Sequence, residues 1–196
     1  MPSRETLARK GLRPAGGELS ALAYFRRMAR NNLWSNHRLH RAVLALGPGE
    51  FAAPRTSFFP SIKATLDHIL SVDLYYLDML EERGEGLALL DRFVDHADPA
   101  ELADAQSRFD RRLLAFCDAI EAADLDRRVA TDRGEAGSIP ERIGDLLAHL
   151  FIHDIHHRGQ VHAMLSGTSV APPQLDEFFL DYDLRLREDE MTALGL

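Results

Sequence analysis

Apolar residues recur every three to four positions over four long stretches of the chain, and this period predicts four amphipathic helices. In residues 19 to 46, Leu22, Phe25, Ala29, Leu33 and Val43 keep helical spacing, and Gly47-Pro48-Gly49 ends the run. A loop holding Pro54 and Pro60 leads to Ser61, a predicted N-cap for a second helix that ends at Gly84 and Gly86. The third helix is predicted over residues 99 to 123, opening at Pro99 and carrying Leu102, Phe109, Leu113, Phe116 and Ile120. Residues 124 to 140 (DLDRRVATDRGEAGSIP) are polar with two glycines and leave room for a short extended excursion. Pro140 is then expected to open a fourth helix running to Gly167. Beyond Pro172 and Pro173, residues 175 to 189 (LDEFFLDYDLRLRED) predict a shorter fifth segment lying on the others. Four long amphipathic helices without repeats or strand alternation specify an all-α, antiparallel four-helix bundle with a short additional C-terminal helix. Spacing alone leaves the order of the helices open.

The chain's 196 residues, 45% of them hydrophobic, suit one domain with a sizeable core, expected over residues 18 to 196. Residues 1 to 17 read as a mobile N-terminal extension, without the apolar core of a secretory signal. A net charge of -8 argues against nucleic acid or an anionic membrane as partner and leaves small-molecule chemistry or protein partners. The single cysteine, Cys117, excludes an intrachain disulfide and a multi-thiolate zinc site; a reducing, cytoplasmic setting is expected.

Chemistry concentrates in HLFIHDIHHRGQVH, residues 149 to 162, which holds five of the nine histidines. At about 100° per residue, with His153 as zero, Leu146, Leu150, His157, Val161 and Met164 fall between roughly 20° and 80°. His153 and His157 thus lie on the apolar side four residues apart, while His149 and His156 flank it near -40° and -60° and His162 points away. Two imidazoles one turn apart can converge on one cation; the structural alternative is a pair of core-edge histidines satisfied by hydrogen bonds. A third ligand must come from another helix. His68 shares a line with Ala64, Val72, Tyr75 and Met79 and is the first candidate, whereas His37 and His40 sit among arginines in a wetter stretch and His96 lies in a loop.

Other polar residues join the same faces. Asn32 and Asn36, spaced i to i+4 near the apolar line of helix one, are read either as interhelical hydrogen bonding or as site lining. Gln160, near -20°, points with the two histidines and could orient a ligand or a bound water. Arg158 is assigned to a salt bridge, and Cys117 to a buried thiol. Gly159 interrupts the helix at a cost of about 1 kcal/mol, which close packing beside the site could offset. Phe151 and Ile155 form a second apolar strip, suggesting another helix or a dimer partner.

LAHLFIHDIHHRGQVHAML followed by GTSVAPPQLD resembles the HxxxHRGQ helix and its proline-containing exit in the DinB-like family, and NNLWSN and FFPSIKATLDHIL resemble that family's other recurrent segments. The resemblance covers about residues 22 to 182. It implies up-down-down-up topology, a frequent homodimer, and a divalent metal held by three histidines that map onto His68, His153 and His157. It also implies likeness to transferases and isomerases that use low-molecular-weight thiols, alongside stress-induced members without an assigned reaction.

The expected function is therefore that of a divalent-metal-dependent enzyme, with Zn²⁺ or Ni²⁺ on His68, His153 and His157 and open positions for water or a cosubstrate thiol. Transferase, isomerase or hydrolase chemistry on a small electrophile would follow. No HExxH, paired ExxH or CxxCH motif points to another metal scaffold. The alternative is a non-catalytic metal- or ligand-binding stress-response protein, with His149 or His156 closing the coordination sphere.

Overall fold

The computed structural model describes residues 19–196; the extension expected over residues 1 to 17 lies outside the described residues. The chain is mostly helical, with one small two-stranded sheet. Four long helices dominate: α1 (Ala21–Leu44), α2 (Ile62–Leu80), α3 (Pro99–Ala119) and α4 (Ile143–Leu165). α1 packs against α3 and α4, and α2 against α4 and α3, so each long helix has two long neighbours. Leu39, Ile62, Leu70, Leu102, Leu113, Leu147 and Leu150 are fully buried between them.

Local chemistry sets the helix starts. Ser20 Oγ accepts from Ala23 N at 3.1 Å, Ser61 Oγ from Ala64 N at 3.0 Å, and Asp98 Oδ1 from Ala100 N at 2.8 Å beside Pro99 at the first position. Each cap satisfies an amide that the first turn leaves free.

The fourth helix begins differently from the expectation. Pro140 does not open it but sits in β2 (Ser138–Arg142), which pairs antiparallel with β1 (Arg128–Asp132) and sets Pro140 opposite Ala130. A two-stranded ribbon has only edge strands, where a missing amide is tolerated. The reason for the ribbon lies in β1, where Val129 and Thr131 are buried and their neighbours are not, a period of two that docks one strand face on the helices. β2 then runs directly into α4, and Ile143 N donates to the Arg127 carbonyl at 3.0 Å.

The C-terminal segment also folds in a shifted register. Residues 175–180 carry no helix; a 3-10 turn covers Asp181–Leu186 and α5 spans Glu188–Leu194. Phe178 is the anchor, packing on Trp34 at 5.4 Å between ring centroids. Trp34 Nε1 donates to Glu190 at 2.8 Å, which Arg38 also holds at 2.6 Å, so α5 is strapped across α1 by one carboxylate. Among the described residues no helix is long and apolar enough to cross a membrane.

Candidate metal centre

His68 on α2 and His153 and His157 on α4 come together: one ring nitrogen from each lies within 4.8 Å of the other two. His153 Nε2 and His68 Nε2 are 3.1 Å apart. Two ligand nitrogens on a tetrahedral ion with bonds of 2.0 to 2.1 Å would be about 3.3 Å apart, so the donor set fits a small divalent cation. His157 Nδ1–H donates to Gln160 Oε1 at 2.9 Å; since an amide oxygen only accepts, the contact fixes the proton on Nδ1 and leaves Nε2 as a lone-pair donor. Burial, then the neighbouring His153 and His157, hold His68 down to about 4, and burial likewise lowers His157. Both imidazoles are therefore neutral at pH 7, the state in which a histidine coordinates. Phe59, from the loop between α1 and α2, lays its ring 4.3 Å from His68 and 5.6 Å from His157, covering one side of the cluster with apolar surface.

The cluster sits at the margin of the buried face of α4. Leu147, Phe151, Asp154, Arg158 and Leu165 are all buried, so the covered arc runs from about 20° to about 160° around the helix, wider and further round than the apolar pattern implied. His153, at zero, is on the rim of that arc, which explains its partial exposure.

The DinB family profile matches residues 19–190. The chain belongs to the DinB family. It is also similar to Protein DinB of Bacillus subtilis (strain 168), with 25% identity over 148 residues that cover 72% of this chain and 85% of that protein.

In this DinB-family chain the centre of α4's buried face is polar. Asp73, Asp110 and Asp154, from three different helices, are buried with Gln106, Asn32, Asn36 and Arg158. Gln106 Nε2 donates to Asp73 at 2.7 Å and to Asp110 at 3.3 Å, and Asn36 Nδ2 donates to Asp110 at 2.9 Å. Arg158 donates to the side-chain carbonyls of Asn32 and Asn36 and stands 3.8 Å from Asp154. Burial, then the adjacent Asp154 carboxyl, raises Asp73 well above the usual carboxylate range, and burial raises Asp110 to about 7.

Asn32 and Asn36 thus spend their amides on Asp110 and Arg158 rather than on the three histidines. His149 stacks near Tyr76 and His156 bonds Gln160 at 3.1 Å; neither joins the three-nitrogen group. His162 faces away and contacts the Pro173 carbonyl. His40, expected in a wet stretch, is buried with neither ring nitrogen bonded, and burial lowers it to about 4. The second apolar strip divides: Phe151 is buried and stacks with Phe25 of α1, the other-helix alternative, while Ile155 is exposed. Among the described residues nothing lies within 4 Å of where a Cβ on Gly159 would stand, so close packing within them is not what favours that glycine. Cys117 is buried and pushed up to about 12 by burial, which removes its thiol from consideration as a nucleophile.

Sequence reasoning missed the carboxyl cluster. Aspartates and an arginine at helical spacing carry the signature of a solvated face. The available signal was that Asp154 and Arg158 bracket His157 between the apolar positions Leu150 and Val161.

Proposed function

We propose that this DinB-family chain is a divalent-metal-dependent enzyme whose ion, Zn²⁺ or Ni²⁺, is held by His68, His153 and His157. The carrying observation is the convergence of three ring nitrogens within 4.8 Å at a partly exposed margin of the helices. When bound, the ion supplies Lewis-acid activation of a water or a low-molecular-weight thiol for transferase, isomerase or hydrolase chemistry on a small electrophile. The protein's part is positional. Gln160 holds His157 in one tautomer, Phe59 excludes water from the His68 side, and the buried carboxyl groups lie behind the imidazoles. The partners taken up by His149 and His156 support a three-ligand site with room for a reactant over a closed, structural one.

The same reading takes the four long helices as a single up-down-down-up bundle and the protein as a cytoplasmic homodimer. Ile152 and Ile155, both exposed on α4, support the dimer. Light scattering should give twice the 22.0 kDa of one chain; a mass of one chain at high concentration rejects it.

Elemental analysis of protein purified without chelators or a histidine tag, beside a His157→Ala variant, tests the site. Near-stoichiometric metal in the parent and its loss in the variant are expected. Equal substoichiometric metal in both removes the proposal.

A further inference from the structure

His153 presents two nitrogens to two different surroundings. Nε2 faces His68 and the cluster, whereas Nδ1 is buried and has no hydrogen-bond partner among the described residues. The nearest charged group to Nδ1 is Asp154 Oδ1, at 3.6 Å. Asp154 is fully buried, and among the described residues no nitrogen donor reaches hydrogen-bond distance of either of its oxygens: the Asp73 carboxyl lies against it and Arg158 stands at 3.8 Å. Two unsatisfied polar groups in one interior are costly separately, and each is what the other lacks: an imidazole N–H donates, and a carboxylate accepts.

We propose that Asp154 is the positioning residue of the three-histidine site, accepting the Nδ1–H of His153 and thereby fixing Nε2 as the lone-pair donor. The inference rests on the metal site proposed above. It assigns His153 the same arrangement that His157 already has with Gln160, with a charged acceptor in place of a neutral one. The charged acceptor makes the bond stronger and the imidazole more basic toward a cation. Asp154 does not itself reach the cluster, since the carboxylate lies on the Nδ1 side of the ring and Nε2 on the other. Its own surroundings hold it there: Asp73 lies against it from α2, and Arg158 approaches from the next turn of α4. The pair at 3.6 Å needs to close by about half an ångström to reach ordinary hydrogen-bond length, a displacement that a small rotation of the partly buried ring supplies.

Co²⁺ titration of Asp154→Asn, His157→Ala and parent protein, read by visible ligand-field bands, separates the possibilities. Asp154→Asn should weaken Co²⁺ binding by about 10- to 100-fold and shift the bands, while the metal-free variant keeps the helical circular dichroism of the parent. Affinity within twofold of the parent and unchanged bands, with binding lost in His157→Ala, overturns the positioning role alone. Binding retained in His157→Ala overturns the three-histidine reading and this inference with it. A second measurement needs no variant: in Zn²⁺-loaded protein with ¹⁵N-labelled histidine, the His153 Nδ1–H should be visible and slow to exchange, and a proton absent or in fast exchange there overturns the proposal.

Discussion

The three histidines and the carboxyl cluster are neighbours on α4, yet they solve the problem of buried polarity in opposite ways. His68, His153 and His157 gather acceptor nitrogens at the rim of the packed helices, with two Nε2 atoms 3.1 Å apart. Asp73, Asp110 and Asp154 gather carboxyl groups at the centre; Asp73 and Asp110 accept from Gln106, Asn32 and Asn36, and Arg158 stands 3.8 Å from Asp154. One set has the geometry to hold a cation from outside the chain; the other already has a cation beside it, Arg158. The difference teaches that burial alone does not mark a functional site; what marks it is donor geometry that the protein's own groups leave open.

That contrast is most severely tested by removing the internal cation. Arg158→Met should destabilise the fold by about 3 to 5 kcal/mol, because it leaves Asp154 and two asparagine carbonyls buried without their positive partner. Urea unfolding measures the loss, and Co²⁺ affinity of the fraction still folded should stay within a few fold of the parent. A loss of metal affinity with stability unchanged would erase the distinction between the two regions.

Removing a rim histidine should do the reverse. His157→Ala is expected to lower metal affinity by at least about 100-fold while costing the metal-free protein little, and His162→Ala, whose ring contacts the Pro173 carbonyl, should bind metal as the parent does. Isothermal titration with Zn²⁺ measures both. Equal affinities for the two variants would mean that the cluster is another polar network and no site.

The histidine trio was legible because i to i+4 spacing on an apolar stripe is a sequence pattern, and His68 could be matched to it by face. The helix starts were legible for the same kind of reason: Ser61 and Pro99 act through their immediate neighbours. The carboxyl cluster was not, since Asp73, Asp110 and Asp154 come from three helices and each alone reads as a solvated position. Pro140 misled because proline suits both a helix start and an edge strand, and the contact that decides, Val129 and Thr131 docking on the helices, is tertiary. His40 misled because Arg38 and Arg41 beside it suggested water, whereas helical geometry turns His40 away from both and into the core.

His40 sharpens the comparison by being a buried imidazole that belongs to neither region. Burial holds it down to about 4, so it stays neutral in the folded chain while the unfolded chain takes up a proton below about 6.5. Stability from this group is complete above pH 6.5 and declines as pH falls toward 4. Asp110 works in the other direction: raised to about 7, it contributes stability at low pH that is lost as pH rises through 7. His40→Phe should therefore flatten the fall in stability between pH 6.5 and 4 by up to one proton's slope, measured by urea unfolding at successive pH values. An unchanged slope would mean that the acid limb comes from the three histidines alone.

The smallest effect is expected on the third face of α4, away from both clusters. Gly159 has open space where a side chain would begin, and its helical backbone demands no positive φ. Gly159→Ala should then raise stability by up to about 1 kcal/mol through the lower entropy of the unfolded chain and the better helix propensity of alanine. Thermal unfolding of metal-free protein would show a rise of a few degrees, with Zn²⁺ affinity unaltered because the substitution touches neither the histidines nor the Asp154 network. A fall in melting temperature accompanied by a shift in light-scattering mass toward one chain would instead place a second copy's backbone against this glycine, turning the open face beside Ile155 into the tightest part of the dimer contact.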